Sequence, residues 1–207
     1  TLAASLGVAL QNARLFDETK RLFEAERQRA AELEIINSVQ EGLAKELDFQ
    51  AIIDVVGDKL RETFAGQNTY IALYDEASNI LEFPYWVGDE GQRIRRDAIE
   101  LGAGLTSIVI RSRKPLVLGT VEEGSELGAL IVDDGSGRLD QPESWLGVPI
   151  LAGKDVIGAI CVQDWPKNRY TENDVRLMST LASSLGVALQ NARLFDETKR
   201  LLKEIGR

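Results

Sequence analysis

At 207 residues, 28% charged and 44% apolar, the chain is long enough to bury one sizeable core and too apolar to stay disordered. Thirty-three acidic side chains against 24 basic ones leave a net charge of −9, which repels phosphate backbones and excludes nucleic acid as a partner without a local basic patch. With no histidine and one cysteine, imidazole catalysis, His-dependent haem and zinc sites, a phosphoaccepting His and any disulfide framework are excluded.

The first predicted element is a helix over Thr1 to about Glu46, rich in Ala, Leu, Glu, Gln and Arg, free of Pro, and interrupted only by Gly7 and Gly42. Val8, Leu15, Leu22, Ile36 and Leu43 fall on a seven-residue spacing, with Arg29 in the gap, and Phe16 and Phe23 widen the stripe. That pattern predicts pairing with another helix. The stripe turns polar across Glu26 to Arg29, where a break or kink is expected. Unbroken, the helix would run about 65 Å at 1.5 Å per residue, as a rod or linker does.

Its first part is duplicated. Thr1 to Leu22 (TLAASLGVALQNARLFDETKRL) returns as Thr180 to Leu201 (TLASSLGVALQNARLFDETKRL), changed only where Ala4 becomes Ser183. The spacing is that of a whole domain with its connector, too long for a solenoid repeat. The economical reading is a segment of a tandem array, starting inside the last helix of one domain and ending inside the same helix of the next. A designed duplication is the alternative. On this reading residues 1–46 are a linker or signalling helix closing a preceding repeat, 47–179 the core, and 180–207 the exit helix.

Asp48 is an N-cap for a second helix, Phe49 to Phe64, with Ile52, Ile53, Val56 and Leu60 on one face and Gly66 closing it. From Thr69 the hydrophobic period becomes two. Strands are predicted at Thr69 to Tyr74, Ile80 to Val87, Ala98 to Leu101, Pro115 to Leu118, Trp145 to Leu151 and Val156 to Asp164, with hairpin turns at Glu76 to Asn79 and Ala152 to Asp155. A short helix over Gly104 to Lys114 follows a Gly-x-Gly. Thr171 and Asp174 form a capping pair that opens the last helix at Glu172. Helices at both ends of an antiparallel sheet define an α+β domain.

The run Leu101 to Leu118 (LGAGLTSIVIRSRKPLVL), the run Ser144 to Ile160 (SWLGVPILAGKDVIGAI) and the helix Leu-Gly-Val-Ala-Leu-Gln-Asn-Ala-Arg-Leu, taken in order, resemble the GAF domain, a small-molecule sensor module of signalling proteins. The match covers about Leu47 to Ala188. The resemblance implies an antiparallel sheet of five or six strands. Long N- and C-terminal helices would pack on one face, and short helices and loops would cover a ligand pocket on the other. It further implies a homodimer formed through the terminal helices, in a cytoplasmic bacterial signalling protein with adjacent GAF and effector domains. No apolar run nears the roughly 20 residues of a membrane span, the longest being about Leu127 to Val132, and Thr1 opens no signal peptide. No membrane contact by this piece is expected.

The candidate ligand-binding residues are Tyr74, Tyr85, Trp86, Gly104, Thr106, Ser107, Arg111, Trp145 and Gln163. The aromatics would receive a planar ligand. Backbone N–H groups after Gly104, with the Thr106 and Ser107 hydroxyls, would meet an anion; the bland reading is a turn with a helix cap. Arg111 would reach a carboxylate, and Gln163 would supply a polar group inside the pocket. The candidate dimer and relay positions are Val8, Leu15, Leu22, Phe23, Ile36, Leu43, Val187, Leu194 and Leu201.

Cyclic-nucleotide-binding members of the family carry an Asn-Lys…Phe…Asp-Glu signature. Tyr170 and Asp174 fit its aromatic and acid, but Gln163-Asp164 and Val175 replace the rest. Bilin-binding members use a Cys followed by His, whereas Cys161 lies between Ile160 and Val162 and reads as an inert core thiol. The methionine sulfoxide reductases of this type exchange several thiols, and one is present here. The acidic loop Asp133 to Asp140 has oxygen ligands for Ca²⁺ but not the spacing of an EF-hand, and reads as a solvated loop. The expectation is therefore a regulatory module without catalysis, cofactor or metal that binds an unknown small molecule and relays its state through the terminal helices. The alternative is a dimerising spacer with a vestigial pocket.

Overall fold

The computed structural model describes residues 2–45, 48–64, 68–88, 91–130 and 141–205. The predicted stop at Gly66 and the acidic loop Asp133 to Asp140 lie outside the described residues. The chain forms two compact units, Thr1–Ser38 and Val39–Arg207.

The first unit is part of helix α1 (Leu2–Lys45). The break expected at Glu26 to Arg29 is absent: the helix runs through, built of good helix formers, and Arg29 pairs with Glu26 one turn away at 3.2 Å. Along it Leu10, Leu15, Phe16, Leu22, Phe23 and Leu33 are all exposed. The side chain of Val8 lies outside the described residues.

In the second unit the last turns of α1 bury Val39 and Leu43. Helix α2 (Phe49–Phe64) follows, and the Asp48 carboxylate accepts from the Ala51 N–H at 2.9 Å, the predicted N-cap. A six-stranded sheet is then laid down by β1 (Asn68–Asp75), β2 (Ile80–Val87), β3 (Ile99–Glu100), β4 (Leu116–Leu118), β5 (Ser144–Ala152) and β6 (Asp155–Asp164). Helix α3 (Leu105–Ser112) lies between β3 and β4, α4 (Val121–Glu126) follows β4, and α5 (Glu172–Ile205) ends the chain. The strand order is β3-β2-β1-β6-β5-β4 with every pairing antiparallel. The α+β antiparallel fold expected from the sequence is the one observed.

Alternation along the strands sorts the core into two layers. Ile71, Ile160 and Val148 stand side by side in neighbouring strands on the face that α2 and α5 cover. Tyr70, Cys161 and Gly147 do the same on the face that α3 covers. Helix α5 packs on the sheet as the sequence reading expects, with α2 beside it, and the last turns of α1 contribute Val39 and Leu43 to the same unit. Leu43, assigned to a dimer seam, is buried in this core, and Ile36 is half-buried.

The capping pair predicted for α5 forms in both directions. Asp174 accepts from the Thr171 N–H and hydroxyl, both at 2.7 Å, and Thr171 Oγ1 accepts from the Asp174 N–H at 3.4 Å. From there α5 buries Leu177, Met178, Leu181, Ala182, Leu185, Leu189 and Ala192, so burial continues well into the repeated segment. Each large side chain so buried contributes about 1.5–3 kcal/mol. Gly186 permits this approach: a Cβ there would run into the Leu151 carbonyl oxygen at the end of β5. Helix α4 was not predicted. Thr120 caps it by accepting from the Glu123 N–H at 3.3 Å, and Glu122 and Glu123 in its first turn favour its positive N-terminal end.

Candidate functional site

The face of the sheet beneath α3 is built from alternate positions of three strands. Asn68, Gln163 and Trp145 form one row across β1, β6 and β5, and Tyr70, Cys161 and Gly147 form the next. Trp86, opposite Tyr70 in β2, extends that second row. Above it α3 contributes Val109 and Ile110, and the aromatic, aliphatic and thiol groups together form one buried cluster.

Inside this layer the polar groups answer one another. The Trp86 indole N–H donates to Asn68 Oδ1 at 2.6 Å, and the Trp86 and Tyr70 rings stack at 4.8 Å between centroids. The Trp145 indole N–H donates to the Tyr70 hydroxyl at 3.3 Å. The Tyr70 hydroxyl shares a second hydrogen bond with Thr106 Oγ1 at 3.0 Å, and Thr106 Oγ1 is 4.0 Å from Cys161 Sγ. Burial holds the Tyr70 phenol well above its ordinary range and pushes the Cys161 thiol up to about 12. Neither ionises near neutrality.

Of the residues singled out in the sequence, the structure brings Trp86, Trp145, Thr106 and half-buried Gln163 to this face. It does not bring Tyr85. Adjacent residues of a strand point to opposite faces, and Tyr85 packs against Gly57 of α2 while its hydroxyl donates to Asp58 at 2.8 Å. Desolvation first, and the Asp58 carboxylate second, raise its pKa far above the usual phenol value. Tyr74, by contrast, packs half-buried against the edge of the same cluster near the β1–β2 turn, where its hydroxyl donates to Asn79 at 3.3 Å.

The anion-site group is also taken up locally. Gly104 holds φ at 98° before the first turn of α3, and Leu130 lies against it. Ser107 is buried and its hydroxyl donates to the Ala103 carbonyl at 3.3 Å. The Arg111 guanidinium donates to the Gly102 carbonyl at 2.8 Å and the Leu101 carbonyl at 3.3 Å, tying down the loop before its own helix. Tyr170 is buried with its hydroxyl unpartnered, and the Asp174 carboxylate is engaged in capping α5. Among the described residues no group of three or more His, Cys, Asp or Glu side chains converges as a metal site, and no helix is long and apolar enough to cross a membrane.

Sequence reasoning does not reach Asn68, and it counts Tyr70 only among the aromatics available to a pocket, outside the candidate site residues. The signal was present: a buried indole N–H needs an acceptor, and these two residues stand on alternate positions of the strand that pairs with β2 and β6.

An α3-covered face opposite an α2/α5-covered face defines an open-sheet α+β architecture with a helical layer on each side. The GAF domain family model matches residues 46–190, more than half of the sequence, and the chain belongs to that family. Among solved structures it is similar to the GAF domain of an Acinetobacter phosphoenolpyruvate-protein phosphotransferase, with TM-score 0.67 and 17% identity over 78% of this chain and 94% of that one. It is similar to the free methionine-R-sulfoxide reductase of Neisseria meningitidis, solved with its substrate, with TM-score 0.68 and 18% identity over 81% and 93%. It also resembles residues 122 to 287 of a methyl-accepting chemotaxis protein, with TM-score 0.64 and 18% identity over 76% and 98%. At these identities the likeness establishes the fold.

Proposed function

We propose that this chain is a non-catalytic regulatory module that forms a homodimer through its terminal helices and passes a change of state along them to adjacent GAF and effector domains of a parent protein. The observation that carries this reading is the double character of α5. One face is clamped to the sheet from Leu177 to Ala192, while Val187, Leu194 and Leu201, seven residues apart, stand 55%, 54% and 47% exposed on the same uninterrupted helix. Leu15, Leu22 and Phe23 are exposed likewise on α1. Long helices with such stripes are stabilised by a partner helix, and a second copy supplies one. A small molecule bound beneath α3 would bias the sheet, and the sheet would bias α5.

The non-catalytic part rests on chemistry. A thiol held protonated up to about pH 12 is a poor nucleophile, and Cys161 is the sole cysteine of a chain without histidine. A second reading, the dimerising spacer, is favoured by the mutual pairing of Asn68, Trp86, Tyr70, Trp145 and Thr106, which fills the ligand face with the protein's own side chains.

Native mass spectrometry of the chain purified without added ligand tests both. A dimer that becomes a monomer in Leu194→Lys/Leu201→Lys is expected, and a monomeric wild type overturns the helix pairing. A retained adduct identifies the ligand by mass and supports the sensor. A bare dimer with no thermal shift across a metabolite panel supports the spacer.

A further inference from the structure

The structure shows what the duplicated segment is for in its second occurrence. Leu181, Ala182, Leu185, Leu189 and Ala192 form the face of α5 that is buried on the sheet, and Gly186 lets the helix backbone meet the end of β5. Their counterparts in the first copy are Leu2, Ala3, Leu6, Leu10, Ala13 and Gly7, identical at every position. In α1 that face is uncovered where its side chains are described: Leu10 is 53% exposed and Ala13 is exposed. One amino-acid pattern is therefore present twice, covered by a sheet once.

We propose that the Leu2–Ala13 face is a second docking element for the β5 face that α5 occupies, so that one copy of the chain can close on another by exchanging α1 for α5. The partner is a second copy of this chain, because the complement of the face is the sheet printed in the same sequence. The face is distinct from the dimer stripe: Val187 and Leu194 are exposed on α5 while the docking residues beside them are buried. The inference thus does not depend on the homodimer proposed above. The exchange places α1 of one copy on the sheet of another, and such contacts give closed rings or open chains of copies according to whether the rotation between copies closes.

In the wild type, α5 holds the advantage. It is tethered to its own sheet at an effective concentration on the order of millimolar, and it adds Leu177 and Met178, which precede the repeat. At about 10 μM chain the exchanged form is therefore below roughly 1%. Weakening α5 alone exposes the competition.

Gly186→Leu drives a side chain into the Leu151 carbonyl and leaves Gly7 intact. Sedimentation or light scattering of the full chain is expected to show concentration-dependent masses above that of the wild type for Gly186→Leu. Those species should be absent in Gly7→Leu/Gly186→Leu, and Gly7→Leu alone should keep the wild-type mass. Equal masses for Gly186→Leu and the double variant overturn the proposal.

Because Gly186→Leu can fail to fold, a second measurement titrates the milder Gly186→Ala chain, in which one added Cβ meets the Leu151 carbonyl and weakens the seat of α5, up to millimolar into a trace of fluorescein-labelled Thr1–Leu22 peptide. Saturable anisotropy that is lost at least 10-fold in affinity with a Gly7→Leu peptide, and kept with a Leu15→Lys peptide, supports docking on the sheet. The opposite pattern places the peptide on the dimer stripe and overturns it, as does an absence of binding.

Discussion

The indole of Trp145 lies across Gly147, two residues further along β5 on the same face, so closely that a Cβ at Gly147 would run into the ring. The missing side chain is what lets the ring lie flat beneath α3 and bring its N–H to the Tyr70 hydroxyl. Gly147→Ala is therefore expected to swing the indole out of place, break that bond and destabilise the domain by about 1–3 kcal/mol, the usual cost of overpacking a filled core. Chemical denaturation followed by tryptophan fluorescence checks both parts, and an unchanged midpoint with unchanged emission refutes them.

Asn68 and Trp86 form a buried pair at 2.6 Å, and neither atom has water to fall back on. Truncating one partner strands the other. Asn68→Ala and Trp86→Phe should each destabilise by about 1–3 kcal/mol from the unmet hydrogen bond alone, with Trp86→Phe losing stacking on Tyr70 as well. Combined, they should cost less than the sum, with a coupling of roughly 0.5–3 kcal/mol. Strict additivity in a double-mutant cycle would show that the pair carries no such bond.

These pairs explain why the elements were more legible than the site. Periodicity two, the hairpin turns, the Asp48 cap and the Thr171–Asp174 pair are local signals, and each stands where the sequence put it. The grouping of aromatics was not local. Tyr85 and Trp86 were read as neighbours in one pocket, though consecutive strand residues cannot share a face; Tyr85 went to α2 because Gly57 leaves room for its ring. Arg111 was read as reaching outward, but the nearest acceptors for a guanidinium at the end of a short helix are the carbonyls of the preceding loop. Asn68 was passed over because its role depends on the register between β1 and β2, which includes an irregularity between Ile71 and Leu73 that the sequence does not announce.

Alkaline pH should weaken the fold before acid chemistry is relevant to this layer. Cys161, Tyr70, Tyr85 and Tyr170 all have their pKa raised by burial, so each keeps its proton in the folded chain at a pH where the unfolded chain has released it. The unfolded state then binds fewer protons, and stability falls as pH rises. The contribution is intact below the ordinary values, 9.0 for the thiol and 10.0 for the phenols, and is lost progressively above them. For Cys161 the loss runs from about 9 to about 12. Urea midpoints measured from pH 7 to 10.5 should decline from about pH 9, and Cys161→Ala should flatten the first part of that decline. A flat profile in the wild type contradicts the burial of these groups.

The reciprocal cap at the start of α5 supports the helix on which the proposed relay depends. Asp174 accepts two hydrogen bonds from Thr171, through N–H and hydroxyl, and gives its own N–H to Thr171 Oγ1. Removing either side chain leaves first-turn N–H groups without an acceptor, at about 1 kcal/mol for Thr171→Ala or Asp174→Ala. Because both substitutions abolish the same hydroxyl–carboxylate bond, the double variant should cost less than the two added together. Three residues beyond the pair begins the clamp at Leu177 and Met178, which are buried on the core and unaffected by either change. Amide exchange is therefore expected to accelerate in the first turn, at Asn173 to Val175, while amides from Leu181 onward slow or quicken only with global stability. Acceleration that spreads along α5 to Ala192 would mean that the cap, rather than the sheet contact at Gly186, holds the helix in place.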